Sequence, residues 1–183
     1  YMQTEGVLVI DTGEIQNRNG ETEEPARNII RQGDYIISFN GEKISTKREL
    51  IDDISELDGS EVTLGISRKG ESIPVSVTPV KDKKGDYKLG IWVRDDTQGI
   101  GTLTYVDQNG NYGALGHGIS DIDTAQLLNI RNGALYKARI LAINKGSKGN
   151  PGELAGYICY DDRNILGTIK ANSRNGIYGQ FTG

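Results

Sequence analysis

Apolar positions along this chain come in short blocks set between glycines and polar runs. Gly6-Val-Leu-Val-Ile-Asp11 is a continuous apolar run closed by polar residues, the pattern of a buried strand. The polar, Asn/Glu-rich stretch 13–24 reads as an exposed loop. Pro25-Ala-Arg-Asn-Ile-Ile-Arg31 is predicted as a short helix with proline at its first turn. Gln32-Gly-Asp34 ends it, and Tyr35–Phe39 forms the next strand. Asn40 and Gly41 both tolerate positive φ and mark a tight turn. Thr46 and Glu49 fit a capping box, and Leu50, Ile51, Ile54 and Leu57 share one face, which predicts a second helix starting at Ser45 or Thr46. Val62, Leu64 and Ile66 alternate with polar residues, as do Ile73, Val75 and Val77, with Lys69-Gly70 as the hairpin turn between them.

The second half repeats shorter units. Lys81–Asp86 is a charged linker read as a solvated turn, and Tyr87–Arg94 is a strand carrying Trp92, the single tryptophan, expected to pack at a junction. Asp95–Gly101 is glycine-rich but lacks the lysine, the spacing and the following helix of a phosphate loop. Gly101–Val106 and Tyr112–Leu115 read as strands joined by Asp107-Gln-Asn-Gly-Asn111, whose spacing suits a hairpin turn better than a calcium loop. Strands are predicted at Ala134–Ile143, Leu154–Tyr160, Ile165–Ile169 and Gly176–Phe181, with turns at Lys145–Gly152 and Asp161–Asn164. Short strands separated by turn signals point to a barrel or sandwich.

Composition narrows the classes. The 183 residues allow one large or two small domains, and 25 glycines with only 4 prolines fit many tight turns. A net charge of −4 and a pI near 5.1 argue against a nucleic-acid surface. One cysteine, Cys159, excludes an intrachain disulfide and a cysteine-rich metal site. No apolar run reaches the ~20 residues that cross a bilayer, so the chain reads as soluble, with a membrane anchor upstream of Tyr1 left open.

Candidate chemistry centres on Gly113-Ala-Leu-Gly-His-Gly-Ile-Ser-Asp121. His117, the only histidine, lies between Gly116 and Gly118. Imidazole titrates nearest neutrality and is the usual general base, and flanking glycines leave it open. Asp121 and Asp123 follow closely enough to orient the ring, while the plain alternative is a histidine in a turn after a strand. No serine sits in a Gly-x-Ser-Gly turn. Ser120 is too close to His117 in sequence, Ser147 lies in the loop Lys145-Gly-Ser-Lys-Gly149, and Cys159 reads as a small core residue.

Gly6–Val9, Pro25-Ala26, Gly33–Ile37, Asn40-Gly41, Arg68–Gly70 and Val77–Pro79 together resemble a bacterial PDZ domain over residues 5–80. The resemblance implies an extended peptide added as a strand beside the helix Lys47–Leu57, its carboxylate held by a loop. That loop is expected before the Gly6 strand, where only Tyr1–Glu5 stand, so the groove is expected to be incomplete.

Gly90–Asp95, Gly99–Thr104, Gly113–Ile119, Asp121–Thr124, Lys148-Gly-Asn-Pro-Gly-Glu153 and Ile165–Thr168 are similar to the stage IV sporulation protein B serine peptidase family. The expected fold is mainly β with a small α+β part. It comprises a PDZ domain over 1–80, a linker and strand over 81–98, and over 99–183 the N-terminal portion of a chymotrypsin-like β-barrel. By resemblance His117 is the catalytic base, and the acid and serine of the triad lie beyond Gly183, so this stretch alone is expected to be inactive. Such a barrel, lacking its last strands, would expose sheet edges for another chain to complete. The resemblance further implies secretion across, or anchoring to, the inner forespore membrane of an endospore-forming bacterium. There the enzyme would cleave a membrane-bound regulator of an intramembrane protease and so trigger a late mother-cell sigma factor. The partners it implies are a protein or peptide substrate, that membrane-bound regulator and self-association through the PDZ part, with no nucleic acid, cofactor or metal. Two rivals remain: a non-catalytic PDZ peptide-binding scaffold with a structural His117, and a cysteine hydrolase using Cys159 with His117.

Overall fold

The computed structural model describes residues Tyr1–Gly183 as two compact units. One unit comprises Thr4–Asp95 with Ile122–Gln126, and the other Tyr1–Gln3, Asp96–Asp121 and Leu127–Gly183. Strands hold 52% of residues and helices 7%, so backbone pairing between strands organises both units.

In the first unit the chain order is β1 (Met2–Thr12), β2 (Ile15–Gln16), β3 (Thr22–Glu23), β4 (Tyr35–Phe39), β5 (Glu42–Lys43), α1 (Lys47–Ser55), β6 (Val62–Arg68), β7 (Glu71–Val77), β8 (Val80–Lys81), β9 (Tyr87–Lys88) and β10 (Ile91–Thr97). The sheet runs β10-β1-β4-β6-β7, with β5 against β4. Val7 faces Ile36 and Leu8 faces Tyr35 across β1 and β4. Val7, Val9, Ile36, Leu50, Leu64, Ile66 and Leu89 form the buried core.

Helix α1 begins as its sequence dictates. The Thr46 hydroxyl accepts from the Glu49 N–H at 3.2 Å, and the Glu49 carboxylate accepts from the Thr46 N–H at 3.1 Å. Leu50 is its buried anchor, worth about 2 kcal/mol of burial. The helix expected over 25–31 is instead a run of turns. Asn28 adopts φ 61°, outside the right-handed helical region, and the Ile29 and Ile30 N–H groups both donate to Ala26 O.

The second unit contains β11 (Leu103–Val106), β12 (Asn111–Ala114), β13 (Ile130–Tyr136), β14 (Ala138–Asn144), β15 (Glu153–Ile158), β16 (Ile165–Ser173) and β17 (Gly176–Phe181). Its antiparallel sheet runs β11-β12-β17-β16-β13 and is open, with no closed barrel; β14 and β15 form a separate ribbon. Met2, Tyr112, Ala114, Ile169 and Ile177 are its core. Burial pushes the Tyr112 phenol up to about 12, and its hydroxyl donates to Thr168 O at 3.1 Å. The single strand expected over Ala134–Ile143 is two, broken at Lys137, whose N–H donates to Asn164 O instead of continuing a ladder.

Asp107 closes its hairpin as expected. Its Oδ1 accepts from the Asn109 and Asn111 N–H groups at 2.8 Å, and hydrogen bonding from Asn111 holds its carboxyl below the usual carboxylate range. Asp82 does the same for the Lys84 and Asp86 N–H groups at 2.9 Å. The calcium-like composition is therefore consumed by turn formation.

One buried ion pair secures the first unit. Asp34 is 1% exposed. Its two oxygens accept from Arg68 Nε and Nη2, each at 2.8 Å, and Oδ2 also accepts from the Arg31 N–H. Arg68 Nη2 further donates to Ile29 O at 3.0 Å, so the guanidinium ties the turn region 26–34 to β6. Replacing Arg68 by Leu strands the carboxylate and is expected to cost about 3 kcal/mol in urea unfolding. A loss below about 1 kcal/mol, the value of an exposed pair, would remove this fork from its structural role.

Candidate functional site

The histidine loop leaves the end of β12 through two successive left-handed residues, Leu115 at φ 74° and Gly116 at φ 79°. The Leu115 N–H donates to Thr102 O at 3.0 Å and the Gly118 N–H to Arg174 O at 3.2 Å. The two glycines serve different needs. Gly116 has open space where a Cβ would project, so its requirement is the positive φ. A Cβ on Gly118 would lie 2.4 Å from Ser173 O, so its requirement is room.

The His117 ring is exposed, and its Nδ1 lies 3.0 Å from Gly118 O. A carbonyl only accepts, so a hydrogen bond in this geometry is made by Nδ1–H, and in the neutral ring that leaves the lone pair on Nε2. His117 lines a cleft of about 840 Å³ together with Gly99, Gly101, Leu115, Tyr136 and Cys159. That arrangement can accept a proton from a nucleophile brought to Nε2.

The other candidates separate. Asp121 is buried at 3% exposure and does not line the cleft. Asp123 belongs to the first unit and pairs with Arg94 at 2.8 Å. Ser120 is exposed and bridges to Leu127, and Ser147 closes the β14–β15 connection through paired backbone bonds with Asn150 at 2.8 and 2.9 Å. Neither serine lines the cleft. Cys159, expected in the core, is half-buried on the cleft wall. No three His, Cys, Asp or Glu side chains group as a metal site.

The first unit carries a second concave site. The segment 87–95 runs antiparallel beside α1: a Cβ on Gly59, past the helix end, would lie 2.8 Å from Tyr87 Oη, and at the other end the Lys47 N–H donates to the Asp95 carboxylate at 2.7 Å. On its other side it follows β1, with the Gly13 N–H donating to Gly90 O at 2.8 Å and Thr4 Oγ1 to Asp95 O at 3.1 Å. Since β4 meets β1 at Val7 and Leu8, between those two points, β10 occupies the opposite edge of β1. The edge of β10 away from β1 pairs with no strand. Between it and α1 lies a groove of about 800 Å³, lined by Ile51, Ile54, Leu57, Leu89, Ile91 and Trp92, with Lys81 and Lys88 also on its wall.

The carboxylate loop was expected ahead of the Gly6 strand, leaving the groove incomplete; in the structure the strand beside α1 is instead supplied by residues 89–95. The signal was present as the apolar-Gly-apolar triplet Leu89-Gly90-Ile91 beside Lys88. Trp92, expected to pack, is 64% exposed on that groove.

Residues 85–183 match the family model described as SpoIVB peptidase S55, more than half of the chain. The chain belongs to that peptidase family. Residues 2–78 match the PDZ domain model, which completes a PDZ-containing layout for this S55 peptidase chain. Among curated proteins it is 38% identical over 78 residues to "Putative zinc metalloprotease LL2128" of Lactococcus lactis subsp. lactis (strain IL1403), a match over 41% of this chain and 18% of that protein. The chain thus spans about a fifth of the length of that relative. Among solved structures it is similar to the PDZ domains of SdrC-like proteins from Listeria monocytogenes and Listeria innocua. Identities are 22% and 24%, and TM-scores 0.41 and 0.42, over 51% of this chain and 92% and 98% of theirs.

The two glycine roles give a ranked expectation. Gly116→Ala should cost about 1 kcal/mol for its left-handed backbone. Gly118→Ala should cost more, about 2–3 kcal/mol, because Ser173 O must move. Urea unfolding of both variants reads the order, and a harmless Gly118→Ala would contradict the close approach.

Proposed function

We propose that this chain is the PDZ and base-bearing part of a serine endopeptidase, with His117 as the general base. The observation that carries the reading is the His117 ring on an open cleft with Nδ1 turned to Gly118 O and Nε2 available, in a chain of a peptidase family. The serine and the acid are supplied by segments following Gly183. In the acylation step Nε2 takes the serine proton as its oxygen attacks the scissile carbonyl, then returns it to the leaving amine.

The groove between β10 and α1 supports the second half of the reading. An extended peptide adds to the free edge of β10, places apolar side chains against Ile51, Ile54 and Leu57, and brings a carboxylate toward Lys81 and Lys88. In this proposal the peptide site regulates the peptidase. The substrate is a membrane-bound regulator of an intramembrane protease, and its cleavage triggers late mother-cell sigma-factor activation. The enzyme is secreted across or anchored to the inner forespore membrane, and copies associate through the PDZ part.

In the longer protein carrying the downstream segments, His117→Ala should lower kcat about a millionfold and abolish fluorophosphonate labelling. Its unfolding midpoint should match that of the parent protein. Undiminished cleavage by that variant would overturn the assignment of His117 as the base.

Ile51 projects from α1 half-exposed, so Ile51→Glu should leave the fold intact. It should weaken binding of a peptide with an apolar C-terminal residue at least about tenfold, read by fluorescence anisotropy. Equal affinity for parent and variant would remove the groove from peptide binding.

A further inference from the structure

The loop that carries His117 is held from behind by a single side-chain amide. Asn172, near the end of β16, accepts through Oδ1 from the Ile119 N–H at 2.8 Å. Its Nδ2 donates to Ile119 O at 2.7 Å and to Leu128 O at 2.9 Å. The amide therefore engages both backbone groups of Ile119, as a residue on a neighbouring strand would, and adds Leu128. The Leu128 N–H in turn donates to Ile119 O at 3.0 Å. The next residues of the same hairpin continue the cradle: Ser173 O stands against Gly118, and Arg174 O accepts from the Gly118 N–H at 3.2 Å.

The β16–β17 ladder does not require an amide at position 172, where Asn172 faces Ile177. Any residue with a backbone could hold that register. The contacts to Ile119 and Leu128 do require one. They need one acceptor and two donors on a short planar group, an inventory that Asp, Leu and Ser each lack. Ile119 follows Gly118, whose carbonyl takes the His117 Nδ1–H, so whatever holds Ile119 also sets that carbonyl.

We propose that Asn172 is a positioning residue for the His117 base, acting through Ile119 and Gly118 to keep the proton on Nδ1 and the lone pair on Nε2. This rests on the reading of His117 as the base. Asn172 does not touch the ring and does not itself line the cleft; it reaches the cleft wall only by holding the backbone of Ile119, so its effect passes through the backbone of the loop. Loss of the amide leaves the Ile119 and Leu128 polar groups to find water, and the Gly118 carbonyl turns away from the ring.

His117 is the only histidine, so ring-nitrogen labelling gives one pair of signals from one site. In the parent protein above the ring's own titration, long-range proton–nitrogen spectra should show the Nδ1–H form. Asn172→Ala and Asn172→Asp should both shift the ring toward the Nε2–H form. In the longer protein, each should lower kcat about a hundredfold, the scale of a misplaced catalytic group, with KM within about twofold. Should Asn172→Ala fail to fold, Asn172→Ser, which keeps a short polar group, serves for the same spectra. A parent ring in the Nε2–H form, or a ring form unchanged in the folded variants, overturns the proposal. So does a kcat equal to the parent's. A longer parent protein without peptidase activity defeats the reading of His117 as a base in its own right, whereas the spectra still report whether Asn172 governs the ring.

Discussion

The first unit depends on the two edges of β1. Backbone N–H and C=O groups of a buried strand must find partners on both sides, because none is left to water. β4 satisfies one edge at Val7 and Leu8, and β10 follows the other between Thr4 and Gly13. Once β10 takes that place, its own outer edge becomes the free one, and α1 stands across from it with Ile51 and Ile54. The groove is thus a consequence of strand pairing. Leu89 fixes it by burying its side chain in the same core as Val7 and Leu50. The Arg68–Asp34 fork then locks the turns of 26–34 onto β6, so that β4 keeps its position beside β1.

At the histidine the controlling constraint is backbone conformation. Consecutive positive φ angles at Leu115 and Gly116 turn the chain sharply out of β12. The close approach of Gly118 to Ser173 then presses the loop against the β16–β17 hairpin. A leucine held in the left-handed region stores strain, about 1–2 kcal/mol, of the kind that persists where the surroundings over-determine it. Here those surroundings are the Thr102, Arg174 and Asn172 hydrogen bonds. These contacts fix the backbone on which the exposed ring is carried.

Much of this was legible along the chain. The capping box at Thr46 and Glu49, the alternation in β6 and β7, and the Asx-type turns at Asp82 and Asp107 depend on groups within a few residues of each other. The failures were of two kinds. Locally, Asn28 broke a helix that Pro25 and the apolar spacing had suggested, because an asparagine tolerates positive φ where most residues resist it. At long range, Lys137 ended a strand by bonding to Asn164, and Trp92 stayed in solvent because β10 turned it toward a groove that local pattern could not place.

The residues themselves determined most of the extended segments and tight turns, and that one imidazole sits between two glycines, because those outcomes follow from side-chain periodicity and φ preference. They also determined the family, through motifs read in order. Only the tertiary structure decided which edge of β1 receives β10, and that Asn172 reaches Ile119 across 53 positions of sequence. Both outcomes rest on the same physics. A polar backbone group in a packed interior takes whichever partner the fold brings within hydrogen-bond distance, and that partner need not lie near it in the sequence.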